Sequence, residues 1–161
     1  MEDVRGGLLQ LLPDLRVFAR YLARDRTLAD DLVQDALVRA LGAIEQYRAG
    51  TSLKAWIFTI LRNGYYEQGR RRRREVAMDD LPGLEEGTQA PDQGSRVAVG
   101  DLQRLMWALP PLLREALILV GAQELSYEEA AVICRVPVGT MKARVSRART
   151  ALGRAMAGEA G

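Results

Sequence analysis

Between Val138 and Leu152 the sequence VGTMKARVSRARTAL keeps two kinds of residue apart. Val138, Met141, Val145, Ala148 and Leu152 recur at three and four, the spacing of one helical face turned to a core. The other side presents Gly139, Thr140, Ala143, Ser146, Arg147 and Thr150, flanked by Lys142, Arg144 and Arg149. Small side chains let a helix backbone approach a groove floor, while cations at its edges reach the phosphates on each wall. The chemistry on offer is noncovalent recognition of a nucleic-acid duplex. A solvated helix whose basic residues complement its own dipole would carry the same charges. What separates the two readings is the segment just before. Ser126 and Glu129 have capping-box spacing, and Pro137 stops their helix while suiting the first turn of the next. Two short helices across so tight a corner make a helix-turn-helix.

A second basic stretch, WIFTILRNGYYEQGRRRRR from Trp56 to Arg74, has a different character. Read as a helix, it sends Trp56, Ile57, Ile60 and Leu61 to the core. Thr59, Arg62, Asn63, Tyr66 and Arg70 share another face, which Arg71 and the run to Arg74 extend. Cations interleaved with an amide and aromatic rings suit single strands, where charge follows the backbone and rings meet unstacked bases. Five arginines alone would equally describe a charge run fraying into a linker. Tyr65, Tyr66 and Asn63 beside them favour the nucleic-acid face. One site for a duplex and one for opened strands is more than a simple repressor needs.

Other chemistries are excluded by composition. The 161 residues contain no histidine, which removes Ser-His-Asp and Cys-His catalysis and nearly every zinc arrangement. Cys134 is the single cysteine, so it forms no internal disulfide; it reads as a small corner residue facing the core, in a reducing compartment. No enzymatic constellation, cofactor or metal is expected. The opening MEDVRGGLLQLLPDL lacks the basic start and long apolar run of a signal peptide. No stretch approaches the ~18 consecutive apolar residues of a membrane span, so a cytoplasmic location is expected.

The elements that must position these faces are helical throughout, and the fold class is all-α. Charge divides the chain: residues 1–74 hold 14 basic and 9 acidic side chains, 75–100 hold 1 and 6, and 101–161 hold 8 and 6. The middle segment, with two prolines and four glycines and no sustained period, reads as a flexible acidic linker between two small domains. In the first domain Leu8 to Ala23 forms a helical stretch with Pro13 near a start or kink. Thr27 and Asp30 then suggest a capping box, followed by a buried stripe of Ala29, Val33, Ala36, Leu37, Ala40, Leu41 and Ile44. Asp31, Gln34, Asp35 and Val38 lie opposite. In the second domain DLQRLMWALPPLLREALILVGAQ makes one or two helices broken at Pro110–Pro111.

The ordered runs ADDLVQDALVRAL, SLKAWIFTILRN with its arginine tail, and LSYEEAAVICRVPVGTMKARVSRAR resemble the bacterial sigma factors of the extracytoplasmic-function (ECF) group across nearly the whole chain. The resemblance implies a sigma2-like domain (1–74), a linker (75–100) and a sigma4-like helix-turn-helix domain (101–161). It implies a non-enzymatic function: binding core RNA polymerase and directing promoter-specific transcription initiation. Polymerase docking would fall to Asp30, Asp31, Leu32, Gln34 and Asp35. Recognition and melting of the minus-ten promoter element would fall to Arg62, Asn63, Tyr66, Arg70 and Arg71, with the loop from Tyr47 to Ser52 helping to hold an extruded base. The minus-thirty-five duplex would meet Thr140, Lys142, Ala143, Arg144, Ser146 and Arg147. The linker would thread the polymerase cleft, where its acidity suits a passage built for RNA. An anti-sigma factor is the expected third partner. LPPLLREALILVGAQELSYEEAAVICR is similar to the general-stress subgroup, whose inhibitors are small soluble proteins.

Three positions depart from the family pattern. Arg135 stands in the helix-turn-helix corner where glycine is common, and Gly64 and Gly69 interrupt the minus-ten helix. They raise the alternative of a sigma-mimic decoy that sequesters an anti-sigma factor without initiating transcription. The intact basic faces argue for the sigma factor.

Overall fold

The computed structural model describes residues 2–48, 52–79 and 97–158, which fall into two compact units, Met1–Ala90 and Pro91–Gly161. The first holds α1 (Glu2–Gln10), α2 (Leu12–Leu22), α3 (Arg26–Gly42), a 3-10 turn (Ile44–Gln46) and α4 (Leu53–Asp79). The second holds α5 (Val97–Ala108), α6 (Pro111–Leu117) with a π-helical turn (Ile118–Ala122), α7 (Tyr127–Cys134) and α8 (Val138–Met156). Among the described residues there is no strand.

In the first unit α3 is gripped on two sides, by α2 and by α4. Its buried set is accordingly broad: Ala29, Leu32, Val33, Ala36 and Ala40. The expected stripe ran one residue off at its edges. Leu41 is 47% exposed and Leu37 half-buried, while Leu32 takes the core position between Ala29 and Ala36. The centre of the unit is a stack of Phe18 on Phe58, ring centroids 4.9 Å apart and nearly parallel, with Ile57 and Leu61 buried beside it. Trp56 and Ile60, expected in the core, are half-buried because α4 turns Phe58 rather than Trp56 inward. Pro13 sits in the first turn of α2, where its missing N–H is no loss, and separates α1 from α2.

The cap of α3 is Asp25, not Thr27. The Asp25 carboxylate accepts from the N–H groups of Thr27 at 2.9 Å and Leu28 at 3.4 Å. A carboxylate at a helix N-terminus also meets the positive end of the dipole, and it starts the helix earlier than a Thr27 cap would. α4 is capped by Ser52, whose Oγ accepts from the Ala55 N–H at 3.0 Å. The helix then runs unbroken through Gly64, Gly69 and all five arginines to Asp79, so 75–79 of the expected linker are helical, as are 97–100 at its other end. Residues 80–96 lie outside the described residues, as do 49–51 of the expected base-holding loop.

Gly64 is buried, and a Cβ built there would lie 3.7 Å from Asp35 Oδ2 across the α3–α4 crossing. That is ordinary van der Waals contact, so the crossing does not require a glycine there. At Gly69 the nearest neighbour is the far end of the Arg73 side chain, 3.7 Å from a built Cβ. Gly69→Ala therefore raises stability by about 1 kcal/mol, the difference in helix propensity. Thermal denaturation checks this, and a shift upward by a few degrees is the expected outcome.

In the second unit the break at Pro110–Pro111 turns the chain between α5 and α6, leaving α5's last carbonyls short of partners. Arg114, 6% exposed, answers one of them: its guanidinium donates to the Leu109 carbonyl at 3.0 Å and lies 3.8 Å from the Trp107 ring centroid. A buried arginine is tolerable only when so occupied. Ser126 and Glu129 form the expected reciprocal capping box, with bonds of 2.9 Å and 3.0 Å. Below it α8 lays Met141, Val145 and Ala148 into the core, with Val138 half-buried at one end and Leu152 at the other.

Candidate nucleic-acid and polymerase interface

On α8 the side away from Met141, Val145 and Ala148 is open. Gly139, Ser146, Arg147 and Thr150 are exposed, and Thr140 and Ala143 are half-exposed. Lys142 and Arg149 are exposed on the flanks and Arg144 is half-buried. Nothing lies near Gly139 on its open side. The Lys142 ammonium stands 5.7 Å from the centroid of the Tyr127 ring at the start of α7, which fixes one edge of the face. This helix is a rod of small residues between cations, carried on a capped, proline-stopped corner. It has the shape and charge to enter a major groove.

Tyr127 was not among the residues singled out in the sequence; cation–π pairing across a corner has no local spacing to reveal it. The corner itself turns on Arg135, at φ 61° and ψ 45°. Left-handed backbone there costs an arginine about 1 kcal/mol relative to glycine. Cys134 beside it is buried, as a small corner residue should be.

On α4 the predicted stripe is assembled by the straight helix. Arg62, Asn63 and Tyr66 are half-buried, and Arg70 and Arg71 are exposed. The Arg62 guanidinium lies 4.5 Å from the Tyr66 ring centroid, and Tyr65 meets Tyr66 edge-on at 4.9 Å. Rings and guanidinium share one face of the helix, with Arg70 to Arg74 continuing the positive charge along it. Thr59 takes no part in that surface through its hydroxyl, which donates to the Ala55 carbonyl at 2.8 Å. Tyr47 packs against Trp56, centroids 5.2 Å apart, so the described start of the preceding loop is tied to the first turns of α4.

The acidic face of α3 is only partly as expected. Asp30, Asp31 and Gln34 are exposed. Leu32 is 2% exposed and belongs to the core, so its side chain is not part of a docking surface in this fold. Asp35 is engaged: Arg39 pairs with it at 3.0 Å and reaches Glu67 on α4 at 3.1 Å. Val38 and Leu41 continue the exposed ridge with apolar side chains. No local spacing marks Arg39, whose reach to Glu67 depends on the α3–α4 crossing, and Leu41 falls on the predicted buried stripe yet is exposed.

Among the described residues no cluster of three His, Cys, Asp or Glu side chains could hold a metal ion, and no helix is long and apolar enough to cross a membrane. Burial pushes the Tyr21 phenol on α2 above its ordinary value.

Known proteins share this arrangement. Residues 8–75 match the Sigma-70 region 2 family and residues 100–152 match Sigma-70, region 4. The chain is 44% identical over 151 residues to the ECF RNA polymerase sigma factor EcfG of Rhodopseudomonas palustris (strain TIE-1), covering 94% of this chain and 83% of that one. It is 36% identical over 146 residues to the ECF RNA polymerase sigma factor SigC of Mycobacterium tuberculosis (strain CDC 1551 / Oshkosh), covering 86% of this chain and 75% of that protein. In structure it is similar to the sigma factor RpoE solved in complex with the anti-sigma factor NepR from Bartonella quintana. That match has a TM-score of 0.81 at 43% identity and covers 94% of this chain and 95% of that one. With both regions matched in order and such identity across most of its length, this chain belongs to the ECF family of RNA polymerase sigma factors.

Proposed function

We propose that this chain binds core RNA polymerase and carries it to promoters, as a non-enzymatic initiation factor acting in the cytoplasm. The observation that carries this reading is α8. Its core line is buried while Gly139, Thr140, Ala143, Ser146 and Arg147 stand toward solvent between cations, on a helix-turn-helix corner. Thr140, Lys142, Ala143, Arg144, Ser146 and Arg147 read the minus-thirty-five duplex. Arg62, Asn63, Tyr66, Arg70 and Arg71 hold the opened minus-ten strand, with the Arg62–Tyr66 pair as a stacking surface. The domain division at 1–74, 75–100 and 101–161 serves this reading, with the helical ends of the linker extending each domain.

Polymerase docking falls to the exposed ridge of α3: Asp30, Asp31 and Gln34, joined by Val38 and Leu41, with Leu32 supporting it from beneath. Asp35 is already balanced by Arg39, so Asp30 and Asp31 carry the free negative charge of the ridge. Asp31→Ala with Asp35→Ala lowers affinity for core polymerase about tenfold, ~1.4 kcal/mol, most of it from Asp31. Titration of labelled protein against core polymerase checks this, and unchanged affinity removes the docking assignment.

An anti-sigma protein is the third partner. The similar RpoE was solved with such an inhibitor, and its likeness spans 94% of this chain. The EcfG-like relative supports a place in the general-stress subgroup. A decoy would need only the inhibitor-binding surfaces; the open, charged side of α8 favours the initiation factor.

A further inference from the structure

The corner between α7 and α8 holds a cation that the reading above leaves unused. Arg135 occupies the left-handed region, which an arginine enters only against its own Cβ. Its backbone is fixed on both sides. The Arg135 N–H bonds back to the Val132 carbonyl at 3.2 Å, that of Val136 bonds to the Ala131 carbonyl at 3.0 Å, and Pro137 follows. The side chain is exposed, and among the described residues its guanidinium takes no ion-pair, hydrogen-bond or ring partner. An outlier held this rigidly, on a side chain that contributes no contact to the fold, points to use outside the fold.

The surroundings say what that use is. Arg135 lies three residues before α8, a span of about 11 Å at most, so a guanidinium on a long stem covers ground beside Gly139 and Thr140. No side chain caps the N-terminus of α8, which leaves its first N–H groups for an anion. We propose that Arg135 grips a DNA backbone phosphate at the edge of the groove that α8 enters, and thereby sets the depth and register of the helix. This rests on the reading of α8 as a duplex-binding helix. The chemistry is sequence-independent: a fixed guanidinium on a phosphate. The competing account is internal, with Arg135 merely complementing the carboxyl end of α7. The two accounts predict opposite behaviour for a glycine at this position.

The test uses the full chain and a fluorescent random-sequence duplex of about 30 base pairs, with anisotropy titrations across a salt series. Arg135→Gly relieves the backbone and raises the melting temperature by about 4 °C. It nevertheless weakens duplex binding about fourfold near 0.1 M salt and reduces the salt slope by about 0.9. Arg135→Lys keeps the charge and retains most of the affinity. Arg144→Ala with Arg147→Ala is the reference variant. If it weakens binding while Arg135→Gly binds as well as the parent, the phosphate contact is overturned and the duplex reading stands. If neither variant alters binding, the duplex reading itself fails and the contact falls with it. A lower melting temperature for Arg135→Gly would show the internal role instead and would equally overturn the proposal.

Discussion

Arg144→Ala combined with Arg147→Ala lowers affinity for promoter duplex by about 100-fold at moderate salt. Under the proposed reading of α8 each of these guanidiniums makes a base-edge or phosphate contact, and such contacts contribute roughly 1–3 kcal/mol apiece. Arg147 is exposed beside Ser146, and Arg144 flanks Ala143 and Thr140, so both border the open side of α8 rather than its core line of Met141, Val145 and Ala148. The fold should be little affected. An unfolding curve within about 0.5 kcal/mol of the parent is expected for surface changes of this kind. Two lost charges also flatten the dependence of binding on salt, because fewer counterions are released. Quantitative binding to a promoter fragment at several salt concentrations measures both effects. Parental affinity in this variant would remove α8 from the duplex interface.

The largest effect on stability belongs to Phe58→Ala, which destabilises the first unit by about 3–5 kcal/mol. Phe58 is fully buried and stacks on Phe18, and α2 and α4 meet at that pair. Deleting the ring removes its transfer free energy and leaves a cavity that helices held by Leu15, Ile57 and Leu61 cannot readily close. A small domain has only about 5–15 kcal/mol to lose, so much of the margin disappears. Function follows stability here: the exposed face of α3 and the Arg62–Tyr66 face of α4, which the proposed function assigns to docking and strand binding, both rest on this core. Urea denaturation followed by Trp56 fluorescence in a Trp107→Phe background, which silences the second unit's tryptophan, reports the loss directly. A loss below 1 kcal/mol would mean that the Phe18–Phe58 stack is not what holds α2 to α4.

Local signals in the sequence were reliable where one interaction decides the outcome. Ser126 with Glu129 gave a capping box, Pro137 ended one helix before another, and Met141, Val145 and Ala148 marked a core line that the structure keeps. Where two local solutions competed, spacing could not choose. Asp25 and Thr27 are both good caps for α3, and the carboxylate, reaching two N–H groups, takes the position. Tertiary packing was legible only in outline. A helix packed on one side has one stripe, but α3 is packed by α2 and α4 together, so the core extends to Leu32 and leaves Leu41 outside. The same geometry turns Phe58 inward and leaves Trp56 at the margin. Contacts between elements left no trace in the sequence pattern: Arg39 reaching Glu67 and Lys142 over Tyr127 depend on helix packing that periodicity does not encode, and Arg114 on the Leu109 carbonyl depends on how the chain turns at Pro110–Pro111. Arg135 is the reverse case. It stands where glycine is common in the family pattern, and the backbone adopts the left-handed conformation that glycine favours despite the side chain.

In the proposed function these faces act together on core polymerase and DNA. The most direct measurement is transcription in vitro by core RNA polymerase from genomic DNA fragments, with and without this protein, mapping the 5′ ends of the RNA. New start sites that share a two-box sequence upstream are expected, and they disappear with the Arg144→Ala, Arg147→Ala variant. No new starts, from core polymerase shown to be active with another initiation factor, would refute the proposed function.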